Sequence, residues 1–148
     1  MNYLFLLLAS AFLLSACTSS DSKSPASATT ASGSNALQDS ANFTTMEWLD
    51  SQNQNIGRIK EGQTAEITWH FKNTGTKPLV IQNVAPGCGC TVADKPEEPI
   101  MPGKEALIKA KFDSRGQSEG EHTKSVVVYA NTKDNPMHQL LFKVEVTK

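Results

Sequence analysis

From Phe43 onward, apolar and polar residues alternate with a period of two. In Glu66-Ile67-Thr68-Trp69-His70-Phe71-Lys72 the side chains of Ile67, Trp69 and Phe71 fall on one face and the polar ones on the other, the pattern of a half-buried strand. Asn73-Thr74-Gly75-Thr76-Lys77-Pro78 is a turn cluster, and Leu79 to Val84 resumes the strand pattern. Ala106, Ile108, Ala110 and Phe112 alternate with Leu107, Lys109 and Lys111, and two further β-rich runs, Lys124–Ala130 and Leu140–Val146, close the chain. Phe43 to Leu49 reads as a first strand and Asn55 to Ile59 as a short second one. No window of ten or more residues carries a helical stripe, so the pattern predicts an all-β, antiparallel sandwich. The Cys and Trp spacing of antibody domains is absent.

The pattern changes before Phe43. Leu4 to Leu14 is an apolar run of 11 residues, too short to span a bilayer and of the length of a signal-peptide core. Leu14-Ser15-Ala16-Cys17 follows and resembles the lipobox of bacterial lipoproteins, which implies cleavage before Cys17 and a diacylglyceryl group on its thiol. Each buried CH₂ contributes roughly 0.8 kcal/mol and a single chain anchors only marginally, so two chains give a stable attachment without a transmembrane helix. Thr18 to Asn35 is almost entirely Ser, Thr and Ala with a little Gly and Pro, a composition with too little apolar surface to offset the entropy of ordering, and the tether runs on to Asn42, 25 residues counting from Thr18. A flexible chain of that length reaches about 25–30 Å. The expected organisation is therefore a signal peptide over residues 1–16, a lipidated Cys17 with its tether over 17–42, and one domain over 43–148. The membrane is then a partner through the lipid. Thr18 after Cys17 leans toward the outer membrane, on either its periplasmic or its surface side.

Charge removes one class of partner. One of the 14 basic and two of the 15 acidic residues precede Phe43, so the domain carries 13 of each, with the signs interspersed. No basic stripe speaks for nucleic acid.

Several short stretches together carry a family resemblance. Ile56-Gly57-Arg58-Ile59-Lys60-Glu61-Gly62, Phe71-Lys72-Asn73-Thr74-Gly75, Pro78-Leu79-Val80-Ile81, Cys88-Gly89-Cys90-Thr91, Pro99-Ile100-Met101-Pro102-Gly103 and Phe112-Asp113 stand in this order across residues 51–148. The set resembles the domain of unknown function 1573, a family mostly of Bacteroidota. The resemblance implies an immunoglobulin-like sandwich similar to domains of the ASPM, SPD-2 and hydin group. It does not imply an activity, since a sandwich hosts many unrelated roles. The position before Cys88, often Ser in that family, is Gly87 here, which predicts a freer loop.

With Cys17 assigned to lipid, Cys88 and Cys90 remain as an even pair in an oxidising compartment. As a staple the pair is poor, because closing a three-residue loop is worth only about 1.6 kcal/mol on the chain-entropy estimate. So small a ring opens readily, as in thiol–disulfide exchange, and Gly89 supplies backbone freedom for it. A soft metal such as Cu(I) is a third reading, with Met101 or one of His70, His122 and His138 completing the ligand set. The expected reading is architectural: a tight loop at the sandwich end with its sulfurs buried or bonded and no cofactor.

Motifs of conventional catalysis are missing, and Asp94, Glu97 and Glu98 read as a solvated cluster in a Pro-rich loop, as His70 reads as a surface residue. If Val126, Val128 and Ala130 face inward, Val127 and Tyr129 face outward, and so does Leu141 when Leu140, Phe142 and Val144 face in. Val127, Tyr129 and Leu141 are accordingly a candidate apolar patch for a protein or an envelope polymer. The sequence thus predicts a lipid-anchored binding or scaffold module of the envelope, not an enzyme. A redox or copper-handling protein using Cys88 and Cys90 is the alternative.

Overall fold

The computed structural model describes residues 40–148; the expected signal peptide, the expected lipid site Cys17 and the expected tether up to residue 39 lie outside the described residues. A 3₁₀ turn at Ser40–Asn42 leads into eight strands: β1 (Met46–Trp48), β2 (Asn53–Lys60), β3 (Thr64–Asn73), β4 (Ile81–Pro86), β5 (Thr91–Asp94), β6 (Glu105–Asp113), β7 (Gly120–Ala130) and β8 (Met137–Thr147). They form two four-stranded sheets, β1-β3-β6-β5 and β2-β8-β7-β4. The architecture is the all-β sandwich expected from the alternation, of the immunoglobulin-like kind that the family resemblance implies.

The core follows from the register. In the β3–β6 pair, Ala65 faces Phe112, Ile67 faces Ala110, Trp69 faces Ile108 and Phe71 faces Ala106, so bulky and smaller residues alternate across the ladder. Val126, Val128, Leu140, Phe142, Val144 and Val146 of the second sheet close over them, all at most 1% exposed. Phe142 packs between the sheets, its ring centroid 5.8 Å from that of Phe112 and 6.3 Å from that of Trp69. Aromatic pairs in such offset or edge-on arrangements add to the free energy of burying their area.

Three features depart from the sequence reading. Residues 40–42, assigned to the tether by composition, form the 3₁₀ turn, and the Asn42 carbonyl accepts a hydrogen bond from Asn131 Nδ2 at 2.7 Å. The sandwich is mixed, because β2 pairs parallel to β8, with an irregularity at Asn55/Gly57 where Gly57 takes φ 83°. The N-terminal segment switches sheets between β1 and β2, an event that leaves no trace in a period-two pattern. Finally, Thr91–Asp94 is a strand that the sequence pattern does not announce, and Asp94 is its last residue and not part of a loop. It is four residues long on a sheet edge, and only Thr91 is fully buried, so it offers almost no alternation to read.

Two of the stretches of the family resemblance, Phe71–Gly75 and Pro99–Gly103, meet at one buried amide. Asn73, fully buried at the end of β3, donates through Nδ2 to the carbonyls of Lys77 and Ile100, both at 2.8 Å. Its Oδ1 accepts from the Thr44 hydroxyl and the Gly75 amide, both at 3.0 Å. Its backbone bonds the turn before β6, accepting from Gly103 at 2.8 Å and donating to Lys104 at 3.0 Å. Asn131 plays a similar part at the end of β7, accepting from the Val80 amide at 2.7 Å and donating to the carbonyls of Asn42 and Pro78.

Candidate functional site

The segment that carries both cysteines crosses from one sheet to the other. β4 ends at Pro86 in the second sheet and β5 begins at Thr91 in the first. Gly87 N–H donates to the Ser125 carbonyl at 2.8 Å, which continues the β4–β7 register one step past the Pro86–Val126 pair. Cys88 follows directly, beyond the end of the ladder, and Lys124 is the residue before Ser125 on the neighbouring strand. At the far side of the crossing, the Asp113 amide donates to the Cys90 carbonyl at 2.9 Å and the Thr91 amide to the Cys88 carbonyl at 3.2 Å.

Cys88 and Cys90 are joined as a disulfide with their Cα atoms 5.3 Å apart, and both are half-buried. The hydroxyl of buried Thr91 lies 3.5 Å from Cys88 Sγ and 4.0 Å from Cys90 Sγ. Thr91 pairs with Phe112, and over the Phe112 ring, 5.7 Å from its centroid, sits the ammonium of half-buried Lys124. Lys124 Nζ also donates to Gln117 Oε1 at 3.2 Å, and it is in none of the ion pairs among the described residues. The disulfide and the Thr91 hydroxyl therefore stand together, and an ammonium with no carboxylate partner among the described residues sits over the ring of the residue paired with Thr91. Backbone bonds to Ser125 and Asp113 tie the crossing to both sheets with or without the sulfur bond.

The glycines of this corner act differently from the sequence reading. Gly89 is not among the glycines of positive φ, and a Cβ there would meet nothing within 4 Å, so the ring does not depend on glycine freedom at that position. Gly87 is not free either: a Cβ on it would stand 2.5 Å from Ser125 Oγ. Gly87→Ser should cost about 1–2 kcal/mol by overpacking, and Ser125→Ala should recover most of that loss in the double variant. Denaturant midpoints of the four chains measure this coupling; strictly additive effects would contradict the close approach.

The suggested third metal ligands stand elsewhere. Met101 precedes β6, while the cysteines flank its other end, and nine extended residues run about 27 Å. His70 pairs with Leu107, also toward the Met101 end. His138 pairs with Val128 and its Nε2 lies 2.8 Å from Thr132 Oγ1, whereas His122 Nε2 is 2.7 Å from the Ser118 carbonyl. The fold thus does not bring Met101 or His70 to the sulfurs. Among the described residues no three His, Cys, Asp or Glu side chains gather around a common point.

The second sheet presents the other candidate. Tyr129 lies between Asn83 and Met137 across the β4-β7-β8 ladder, and Val127 lies between Ala85 and Gln139. Leu141 stands opposite Ser125, one step diagonal to Val127. Val127, Tyr129 and Leu141 are thus on one outward face, each half-buried by its neighbours, and Ala85 and the 50% exposed Met137 extend the group. The sequence reading missed Met137 and Ala85, because alternation assigns a face within a strand and says nothing about which residues of other strands lie alongside. A cavity of about 160 Å³ borders Leu141, lined also by Asn53, Asn55, Thr123 and Lys143.

Polar groups elsewhere are explained by the fold. His70, exposed as expected, holds Asp50 through its amide and ring, at 2.8 and 2.7 Å, and these bonds keep the Asp50 carboxyl below its ordinary pKa. Burial pushes the His138 imidazole down. Asp94, Glu97 and Glu98 are exposed. An open cleft of about 300 Å³ lined by Asp94, Lys95, Pro96, Ala106 and Leu107 is at the lower end of ligand-site volumes.

Comparison with known families settles the resemblance. The model of a protein family of unknown function, DUF1573, matches residues 46–146. The chain belongs to the DUF1573 family. No curated protein matches it. Among solved structures, a protein of unknown function from Porphyromonas gingivalis W83 is similar at 20% identity and a TM-score of 0.63, over 71% of this chain. The match spans 48% of that protein, so this DUF1573 chain corresponds to about half of it. The ASH/PapD-like domain 7 of human CEP192 superposes at TM-score 0.54 and 12% identity, covering 72% of this chain and 88% of that one. The YadV chaperone gives 0.51 at 13% identity, over 70% and 52%. At these identities the likeness is one of fold, an immunoglobulin-like sandwich of the PapD-like kind.

Proposed function

We propose that this DUF1573 chain is a lipid-anchored binding or scaffold module of the bacterial cell envelope, without conventional catalysis. The observation that carries the reading is the outward face of the second sheet, where Val127, Tyr129, Met137, Leu141 and Ala85 stand side by side across three strands. A strand buried on one face ordinarily alternates with polar residues on the other, and scattered surface apolars need no explanation. Here they are contiguous across neighbouring strands, which is the arrangement that marks contact surfaces. The lipobox-like Leu14-Ser15-Ala16-Cys17 supports anchoring, and the tether composition supports a domain held off the headgroups, facing a protein or an envelope polymer.

A photo-crosslinking side chain placed at Tyr129 in the native envelope should give a defined adduct. The same side chain at Lys111, exposed on the outer face of the first sheet, should give none. Val127→Ser should reduce the Tyr129 adduct severalfold at an unchanged unfolding midpoint, and Cys17→Ser should release the chain from the membrane fraction. Equal labelling at the two positions, or an adduct indifferent to Val127→Ser, would remove the face from consideration.

A further inference from the structure

We propose that the Cys88–Cys90 disulfide is a thiol–disulfide exchange site, with Lys124 and Thr91 positioning and stabilising Cys88 as the thiolate. The inference is independent of the apolar face. Cysteines become reactive where a cation or a hydrogen-bond donor stabilises the thiolate. At this corner the fold supplies both. Lys124 is next to Ser125, whose carbonyl accepts from the Gly87 amide beside Cys88, and it lies on the core-facing side of its strand with Val126 and Val128. Its ammonium rests on Phe112, the cross-strand partner of Thr91, and the Thr91 hydroxyl is nearer Cys88 Sγ than Cys90 Sγ, 3.5 against 4.0 Å. Nothing in the sequence indicated a part for Lys124, which is 36 positions from Cys88; the Gly87–Ser125 bond and the Thr91–Phe112 pair bring their segments together.

The co-reactant is a dithiol, such as a small-molecule dithiol or a reduced Cys-x-x-Cys protein. One of its thiolates attacks Cys90 Sγ, the Cys88–Cys90 bond breaks, and the electron pair leaves on Cys88 Sγ, the better leaving group because its anion is stabilised. The second thiol of the dithiol then loses its proton and attacks its own sulfur in the mixed disulfide. The dithiol departs oxidised, and Cys90 takes a proton to become a thiol. Two electrons pass from the dithiol to the protein. Of the two thiol protons, one ends on Cys90 and the other goes to solvent while Cys88 stays ionised. In the reverse sequence the reduced Cys88 and Cys90 pass two electrons to a partner's disulfide, which leaves as a dithiol while the Cys88–Cys90 bond re-forms, so one site serves either direction.

The test uses the full chain, with alkylated peptides separated by mass so that Cys17 does not enter the readout. Rates of iodoacetamide alkylation are followed from pH 5 to 10 in Cys90→Ser, which leaves Cys88, and in Cys88→Ser, which leaves Cys90. At pH 6, Cys88 should alkylate about tenfold faster than Cys90, as expected for a cation-assisted thiolate. Lys124→Gln should move the Cys88 profile to higher pH and leave that of Cys90 in place, while Lys124→Arg restores it. A role for Lys124 in folding alone would shift both profiles or neither. In the unsubstituted chain, dithiothreitol should open the pair at a rate that Lys124→Gln lowers severalfold. Two ordinary, superimposable profiles that ignore Lys124, or a disulfide that opens only on unfolding, would overturn the proposal.

Discussion

Asn73→Ala should be the most damaging single substitution in the domain, lowering its stability by about 3–5 kcal/mol. The amide is fully buried and uses all four of its hydrogen-bonding positions, toward Lys77, Ile100, Thr44 and Gly75. Alanine would strip these groups of their partner without admitting water, and each buried polar group left unpaired costs about 1–3 kcal/mol. Some of that cost is relieved by relaxation, because the Lys77 and Thr44 segments are near the surface. What remains is still about a fifth or more of the roughly 5–15 kcal/mol that holds a typical domain together. Asn73→Asp is the informative companion: it preserves the shape and the two acceptor contacts but turns both donor contacts into repulsion between oxygens, so it should be no milder than alanine. Equilibrium unfolding of the three chains in urea measures the differences, and a loss under about 1 kcal/mol for Asn73→Ala would mean that the amide is not the junction described here.

The same residue shows what could be read from the chain alone. Inward positions on β3, β6, β7 and β8 were legible because one face of each strand is buried, and period two is then imposed on the sequence. Asn73 occupies an inward position of β3, yet it was read as the first residue of a turn, since an amide in a hydrophobic register looks like the end of the strand. Its four partners lie between 2 and 29 residues away, and no local pattern announces them. β5 escaped because it is short and edge-bound, and the parallel β2–β8 pair escaped because pairing direction is a property of the path between strands. At the candidate sites the limit was similar. Which face Val127, Tyr129 and Leu141 occupy followed from alternation, but the neighbours that turn them into a surface, Met137 and Ala85, come from register. The sulfur pair was visible in the sequence and Lys124 beside it was not.

Gly75→Ala should be nearly as damaging, at about 2–4 kcal/mol, and for a reason that separates architecture from function. Gly75 does not have a positive φ, so the requirement is for space. A Cβ there would stand 2.6 Å from the backbone nitrogen of Thr45 and would also clash with the Thr44 hydroxyl, the group that donates to Asn73. A serine or lysine tip can swing away from an added methyl, but a backbone nitrogen cannot, so the segment entering β1 must move. Moving it strains the Thr74 and Gly75 amides, which both donate to the Thr45 carbonyl, at 3.0 and 3.2 Å. Overpacking of this kind costs typically 1–3 kcal/mol, and weakening the Thr44–Asn73 bond adds to it. Gly89→Ala, by contrast, has open space around it and should stay within about 0.5 kcal/mol of the parent chain. Thermal and urea unfolding of the two variants gives the comparison, and equal effects would refute the packing argument. The expected inequality means that the Asn-Thr-Gly stretch of the family pattern is occupied in closing the sandwich around its N-terminal strand, as Ile100 and Gly103 are. Substitutions there would abolish any activity by unfolding the domain, and only positions that tolerate change without loss of stability, such as Lys124, Tyr129 and Val127, can report on what it does.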